Sequence, residues 1–159
     1  MAGYGTNEGF AAWLADNGYA MPDSAPAPGV LRQRASVYVD GLYYDRFPGR
    51  PAGGAAQDRQ WPRAVAVDRY GHALDDVTVP QRVIDASYQA AWIEAQNPGT
   101  LATTYTPGQN KVLTEVKGIK WEVVGNANAD RAMVPVSTAV EALLAPILTP
   151  ANIPAVLVV

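Results

Sequence analysis

Apolar side chains recur at helical spacing in four stretches of the chain. Behind Thr6, which is suited to cap a helix, Phe10, Ala11 and Leu14 share one face, and Gly18 follows as a stop, predicting a helix over Asn7 to Asn17. Leu31, Ala35, Tyr38 and Leu42 form the stripe of a second helix over Val30 to Phe47, with Arg32 and Arg34 away from it. The third, Pro80 to Gln96, is announced by Thr78-Val-Pro-Gln81: a Thr cap, a Gln three residues on, and a proline in the first turn where its missing N–H is not needed. Thr138 and Glu141 read as a capping box for a last helix, from Thr138 to about Ala145 and ended by Pro146.

The periodicity changes between Lys111 and Val124. Val112, Thr114 and Val116 alternate with Leu113, Glu115 and Lys117, and Ile119, Trp121 and Val123 alternate with Lys120 and Glu122, which predicts a hairpin turning at Lys117-Gly118. A lone two-stranded ribbon is marginal in water, so it must lie against a helix or another chain. The fold class expected is mainly α, a small helical bundle with one β-hairpin and an extended C-terminal tail. Residues 1–147 would form the helical domain, hairpin 111–124 included, and residues 148–159 the tail. Pro22, Pro26 and Pro28 make Tyr19 to Gly29 a connection, and Gly49, Gly53 and Gly54 make Pro48 to Gln60 an irregular loop.

On the Pro80 helix, Val83, Ile84, Ala86, Tyr88, Ala90, Ala91, Trp92, Ile93 and Ala95 span an arc wider than the ~100° stripe of a helix packed on one side. Two readings stand: a central core helix, or one facing both its own core and an adjacent subunit. Composition bears on this choice, because charged residues are 17% of the chain, below the ~25% of ordinary globular proteins, while apolar residues are 48%. So little charge leaves some of the outside to be covered by other chains. The tail ends in four successive apolar residues, Val156-Leu-Val-Val159, a poor solvent-exposed terminus and so expected to dock.

Much chemistry is excluded. Without cysteine there is no disulfide framework, thiolate nucleophile or Cys-ligated zinc, and His72 alone cannot build a metal site. Pro48-Gly-Arg-Pro-Ala-Gly-Gly54 lacks the Lys-Ser/Thr of a phosphate loop, and no Gly-x-Ser-x-Gly elbow occurs. Neither catalysis nor a metal or cofactor is therefore expected. The first residues lack a basic region followed by an apolar run, so cytoplasmic synthesis is the expectation. Ala142 to Val159 is uncharged, but Pro146, Pro150 and Pro154 would break a spanning helix, and no membrane association is expected.

Charge is uneven. From Gly29 to Arg69 seven arginines (32, 34, 46, 50, 59, 63 and 69) face Asp40, Asp45, Asp58 and Asp68, among Tyr38, Tyr43, Tyr44, Phe47 and Trp61. Arginine interleaved with aromatics is what a single-strand binder uses, and Arg32, Arg34, Arg46 and Arg50 are the candidate DNA-facing residues. Against it, Tyr38 and Trp61 suit a core, the aspartates are placed to pair with the arginines, and the chain carries a net charge of -3 where a dedicated binder is normally basic.

Six motifs occur in one order: Tyr4-Gly-Thr6, Ala35-Ser-x-Tyr-Val-Asp40, Gln60-Trp-Pro-Arg63, Val79-Pro-x-x-Val-x-x-Ala86, Glu115-Val-Lys-Gly-Ile-Lys-Trp-Glu122 and Val140-Glu-Ala-Leu-Leu-Ala-Pro-Ile147. Together, over nearly the whole chain, they resemble the head-tail connector adaptors of tailed bacteriophages, a family labelled DnaT-like single-stranded-DNA-binding proteins. The resemblance implies a structural virion protein of the neck, a ring of twelve copies beneath the portal, through which double-stranded genome DNA passes without sequence specificity during packaging and ejection. Partners would be the portal ring, further copies of the chain, and a tail-completion or head-closure protein below. On that reading Ile153, Ala155, Val156, Leu157, Val158 and Val159 dock on the portal. Tyr88, Trp92 and Ile93 of the Pro80 helix, with Ile119, Trp121 and Val123 of the hairpin, pack neighbouring subunits. The alternative is a replication-type single-stranded-DNA-binding module using residues 31–69.

Overall fold

The computed structural model describes residues 2–102, 111–115, 120–123 and 136–150. It divides into two compact units, a helical one (Met1–Leu101 with Val136–Val159) and a second one, Ala102–Pro135, that contains the hairpin. The hairpin, expected within residues 1–147, lies in the second of these units.

Four helices build the first unit: α1 (Asn7–Asp16), α2 (Pro28–Tyr43), α3 (Gln81–Gln96) and α4 (Thr138–Leu144). Thr6 caps α1 by accepting from the Gly9 amide at 2.9 Å, and the chain leaves through Gly18 with φ +67, as the sequence predicts. α2 starts two residues early because Pro28, read as part of the connection, is well suited to a first turn. It also stops early: the amides of Arg46 and Phe47 both turn back onto the Tyr43 carbonyl, and Pro48 follows.

Both predicted capping boxes are replaced. The Thr78 hydroxyl donates to Asp75 at 2.6 Å, Gln81 reaches Asp85, and Pro80 itself holds the cap position of α3 without a side-chain bond. The Thr78 hydroxyl donates its proton to a carboxylate three residues back, a charge-assisted bond, and so sits in a local turn rather than at the helix end, where it would accept from a free amide. At α4 the cap is Ser137, one residue before the expected Thr138, and Glu141 leaves the box to pair with Arg46 at 2.7 Å.

α3 lies at the centre, packed by α1, α2 and α4. Its wide apolar arc is satisfied inside its own chain, with Val83, Ala86, Ala90, Ala91 and Ala95 buried. Small residues let α2 and α3 approach closely, and the two serines at their contact, Ser36 and Ser87, share a hydrogen bond of 2.9 Å. Tyr19 stacks on Trp92 with ring centroids 4.1 Å apart, and Trp13 leans on Tyr19 and Tyr88.

The loop expected between Pro48 and Gln60 has structure of its own. β1 (Arg50–Pro51) pairs antiparallel with β2 (Arg63–Ala64), enclosing a short 3-10 turn, Gly54–Ala56. Gly49, at φ +66, admits the return strand so closely that a Cβ would stand 2.4 Å from the Ala64 carbonyl oxygen. In the second unit β3 (Lys111–Glu115) pairs antiparallel with β4 (Lys120–Val123), Leu113 opposite Trp121, with a register shift between Leu113 and Glu115. The expected turn at Lys117-Gly118 lies outside the described residues.

The N-terminal segment is bound by one side chain. Arg32, only 8% exposed, donates to the carbonyls of Tyr4 (3.1 Å), Gly3 (2.9 Å) and Gly5 and to the Asn7 side chain (2.7 Å). Gly5 is required next to it: at φ +67, a Cβ would fall 2.0 Å from the Tyr88 hydroxyl. Arg32→Met should strand those carbonyls and lower unfolding stability by about 3 kcal/mol, read as a reduced urea midpoint at unchanged m-value. An unaltered midpoint would show that the segment is held by other contacts.

Candidate functional site

The segment from Leu31 to Arg69 carries the one nucleic-acid signal in the sequence. Its aromatics turn inward: Tyr38, Tyr43, Phe47 and Trp61 are buried, and Phe47 meets Trp61 edge-on with centroids 5.5 Å apart. Tyr44 stays half exposed.

Most of its arginines bind the protein itself. Arg63, 5% exposed, donates to the carbonyls of Pro48 and Gly49, each at 2.7 Å, and to the Gln60 side chain at 2.9 Å, so that it closes the β1–β2 turn. Burial holds its guanidinium below the ordinary value. Arg34 pairs at 3.1 Å with Glu94, whose buried carboxylate also accepts from the amides of Gly99 and Leu101 beyond the end of α3. Arg46 holds Glu141 at 2.7 Å, and its carbonyl accepts from the Thr149 amide and hydroxyl, both at 2.8 Å. Leu148, the first residue of the expected tail, is buried as well, so the described chain packs on the helical unit through Thr149.

Arg32, a candidate DNA-facing residue, and Tyr88, a candidate subunit contact, are buried within the helical unit. Both face the interior, Arg32 as the N-terminal clamp and Tyr88 with its hydroxyl exchanging bonds of 2.9 and 3.1 Å with the Thr6 backbone. Trp92 and Ile93 are half buried. Arg50 is exposed, with no partner among the described residues. Ile119 and all six tail residues, Ile153 and Ala155 to Val159, lie outside the described residues; Trp121 and Val123 fall within β4.

Surface features that the sequence reading passed over lie on α2 and on the loop after β2. Val30, Val37 and Tyr44, seven residues apart in turn, remain 43%, 52% and 52% exposed. That heptad spacing was a visible signal, hidden by the better-populated stripe on the opposite face. Beside Val37 and Tyr44 a groove of about 380 Å³ is lined by Asp40, Gly41, Asp58, Arg59 and Gln60. At its wall the Tyr4 hydroxyl donates to Asp40 at 2.5 Å and accepts from the Trp61 amide, while Arg59 approaches Asp40 at 3.5 Å and lies over the Tyr4 ring. Burial, then the adjacent Asp40 charge, pushes the Tyr4 phenol far up. Burial also raises the Asp40 carboxyl, more than the Tyr4 and Arg59 contacts lower it. Among the described residues no cluster of His, Asp and Glu is placed to hold a metal ion, and no helix is long and apolar enough to cross a membrane.

The family model described as "Putative DnaT-like ssDNA binding protein" matches residues 2–158. The chain belongs to that family. No curated protein and no solved structure matches it. Membership in the DnaT-like family covers the helical unit and the hairpin unit alike, and in this chain most of the arginines of the 31–69 segment are engaged with protein groups.

The raised Asp40 carboxyl has a stability consequence. A folded value above the ordinary 3.8 favours the protonated form, so this group's contribution is complete below 3.8 and is lost as the pH rises through the folded value. Asp40→Asn cannot ionise, and its stability relative to the parent chain should improve from acid pH to neutrality in paired urea titrations. A difference that is flat with pH would mean that Arg59 fully compensates the buried carboxylate.

Proposed function

We propose that this DnaT-like family member is a structural head-tail connector subunit of a tailed bacteriophage, assembling as a ring under the portal at the virion neck and letting genome DNA pass to the tail. The observation that carries this reading is where the arginines and aromatics go. Arg32, Arg34, Arg46, Arg59 and Arg63 are engaged with protein groups, and four of five aromatics in the segment are core. Little of the Arg-aromatic stretch is left to stack bases. What the surface offers instead is apolar: Val30, Val37, Tyr44, Val65, Val67, Tyr70 and Val77 are all large and exposed. Low charge and exposed apolar side chains suit a subunit whose outside is covered in an assembly. An acidic chain also suits a conduit along which DNA must slide without tight contacts.

The family description favours a second reading, single-stranded-DNA binding, which would rest on Arg50, Arg69 and Arg82, exposed cations without partners among the described residues. Salt separates the two. Phosphate binding weakens steeply with salt, by ~10³-fold or more between 50 and 200 mM for six or more contacts. For a connector, fluorescence anisotropy should detect no salt-sensitive complex with oligo-dT at micromolar protein. In co-sedimentation with the portal ring, full-length protein should pellet, and a chain lacking Ile153 to Val159 should stay in the supernatant with unchanged helical circular dichroism. Undiminished pelleting of the truncated chain would remove the tail from the docking surface. A tight, salt-sensitive DNA complex with no portal binding would overturn the connector reading.

A further inference from the structure

Exposed apolar side chains are concentrated in two places. One is the groove along α2, where Val37 and Tyr44 stand over Gly41. The other is the loop from Val65 to Val77, whose Val65, Val67, Tyr70 and Val77 are 80%, 49%, 73% and 76% exposed.

The loop is built rather than slack. Asp68 accepts from the amides of Tyr70 and His72, both at 2.8 Å, and pairs with the His72 ring at 3.1 Å. The backbone closes above and below this knot, Asp68 N–H to the His72 carbonyl at 2.8 Å and Leu74 N–H to the Ala66 carbonyl at 2.9 Å. The Arg69 amide then fastens the loop to the Pro146 carbonyl at 2.8 Å. Valine at φ +56 is a poor conformer for a β-branched residue, yet Val65 holds it while its side chain points to solvent. The Val65 side chain gains no burial from that arrangement.

Gly41 poses the matching question in the groove. It lies inside α2, where glycine is the costliest residue after proline, and a Cβ there would meet nothing within 4 Å. The subunit's own packing gives no reason for a glycine. An incoming side chain or backbone that must reach the helix surface does.

Charge decides the occupant. Asp58 on the groove has no partner among the described residues, and neither has the Arg69 side chain on the loop, next to Tyr70. We infer that the Val65 to Val77 loop of one copy seats in the α2 groove of the next, Tyr70 over Gly41 between Val37 and Tyr44, and Arg69 against Asp58. Two different patches on one chain make a head-to-tail contact, which gives a ring where its rotation closes, and not a two-fold dimer. The inference rests on the ring reading and names its subunit contact.

Charge reversal tests it. Asp58→Arg and Arg69→Asp should each cut the assembled fraction on portal about tenfold, and the double variant should recover it. Gly41→Leu, with thermal stability equal to or above the parent's, should also fail to assemble. Because the chain has no cysteine, Gly41→Cys and Tyr70→Cys proteins mixed with portal under mild oxidation should yield a disulfide-linked pair that neither gives alone. Parent rings with single variants that assemble equally well, or without rescue or cross-link, would overturn this contact and leave the ring reading intact. If the parent chain forms no multi-copy assembly with or without portal, the ring reading falls and the contact with it.

Discussion

One guanidinium decides how this fold closes. Arg32, on the buried side of α2, gathers the carbonyls of Gly3, Tyr4 and Gly5 and so wraps the N-terminal segment across the helix. That position delivers the Tyr4 amide to Ser36, the Thr6 backbone to Tyr88, and the Tyr4 phenol to Asp40 and Trp61. α1, α2, α3 and the loop before β2 are thereby referenced to one short stretch of backbone. A buried, multiply bonded cation is costly to desolvate, and breaking one side of it costs more still, so the arrangement is all-or-none.

The same economy explains the surface. Arg63 closes the β1–β2 turn, Arg46 ties α4 and Thr149 to the end of α2, and Arg34 meets the buried Glu94. With these cations committed to protein partners and charged residues only 17% of the chain, the described surface keeps several large apolar side chains. A basic segment in the sequence has become bracing between elements, and exposed apolar side chains are left on the surface. This is the physical basis for preferring a subunit of an assembly to a binder of single strands.

How much was legible follows from the kind of signal. The four helices and the hairpin rest on periodicity, which burial enforces, and they are present with ends displaced by a few residues. Caps depend on which nearby hydroxyl reaches the free helix amides: Thr78 is turned toward Asp75 instead, and Ser137 rather than Thr138 accepts from the Val140 amide. Arg32 was unreadable as a clamp because its partners are backbone carbonyls 27 to 29 residues away, which leave no mark on side-chain pattern. Tyr88 belonged to an arc too wide for one neighbour, and periodicity cannot say that three of the neighbours come from the same chain. The α2 seam at Val30, Val37 and Tyr44 was readable, but the more regular stripe of Leu31, Ala35 and Tyr38 drew the helix's inner face. The loop at Val65 to Val77 carries no periodic signal; only its fixed backbone reveals that its apolar residues are presented rather than buried.

The central claim is that these surfaces serve an assembly at the portal. Cryo-electron microscopy of the protein mixed with portal, beside controls of protein alone and protein with single-stranded DNA, tests it most directly. The account predicts closed rings stacked on the portal and unmodified DNA in the control; bare portals beside protein-coated single strands would contradict it.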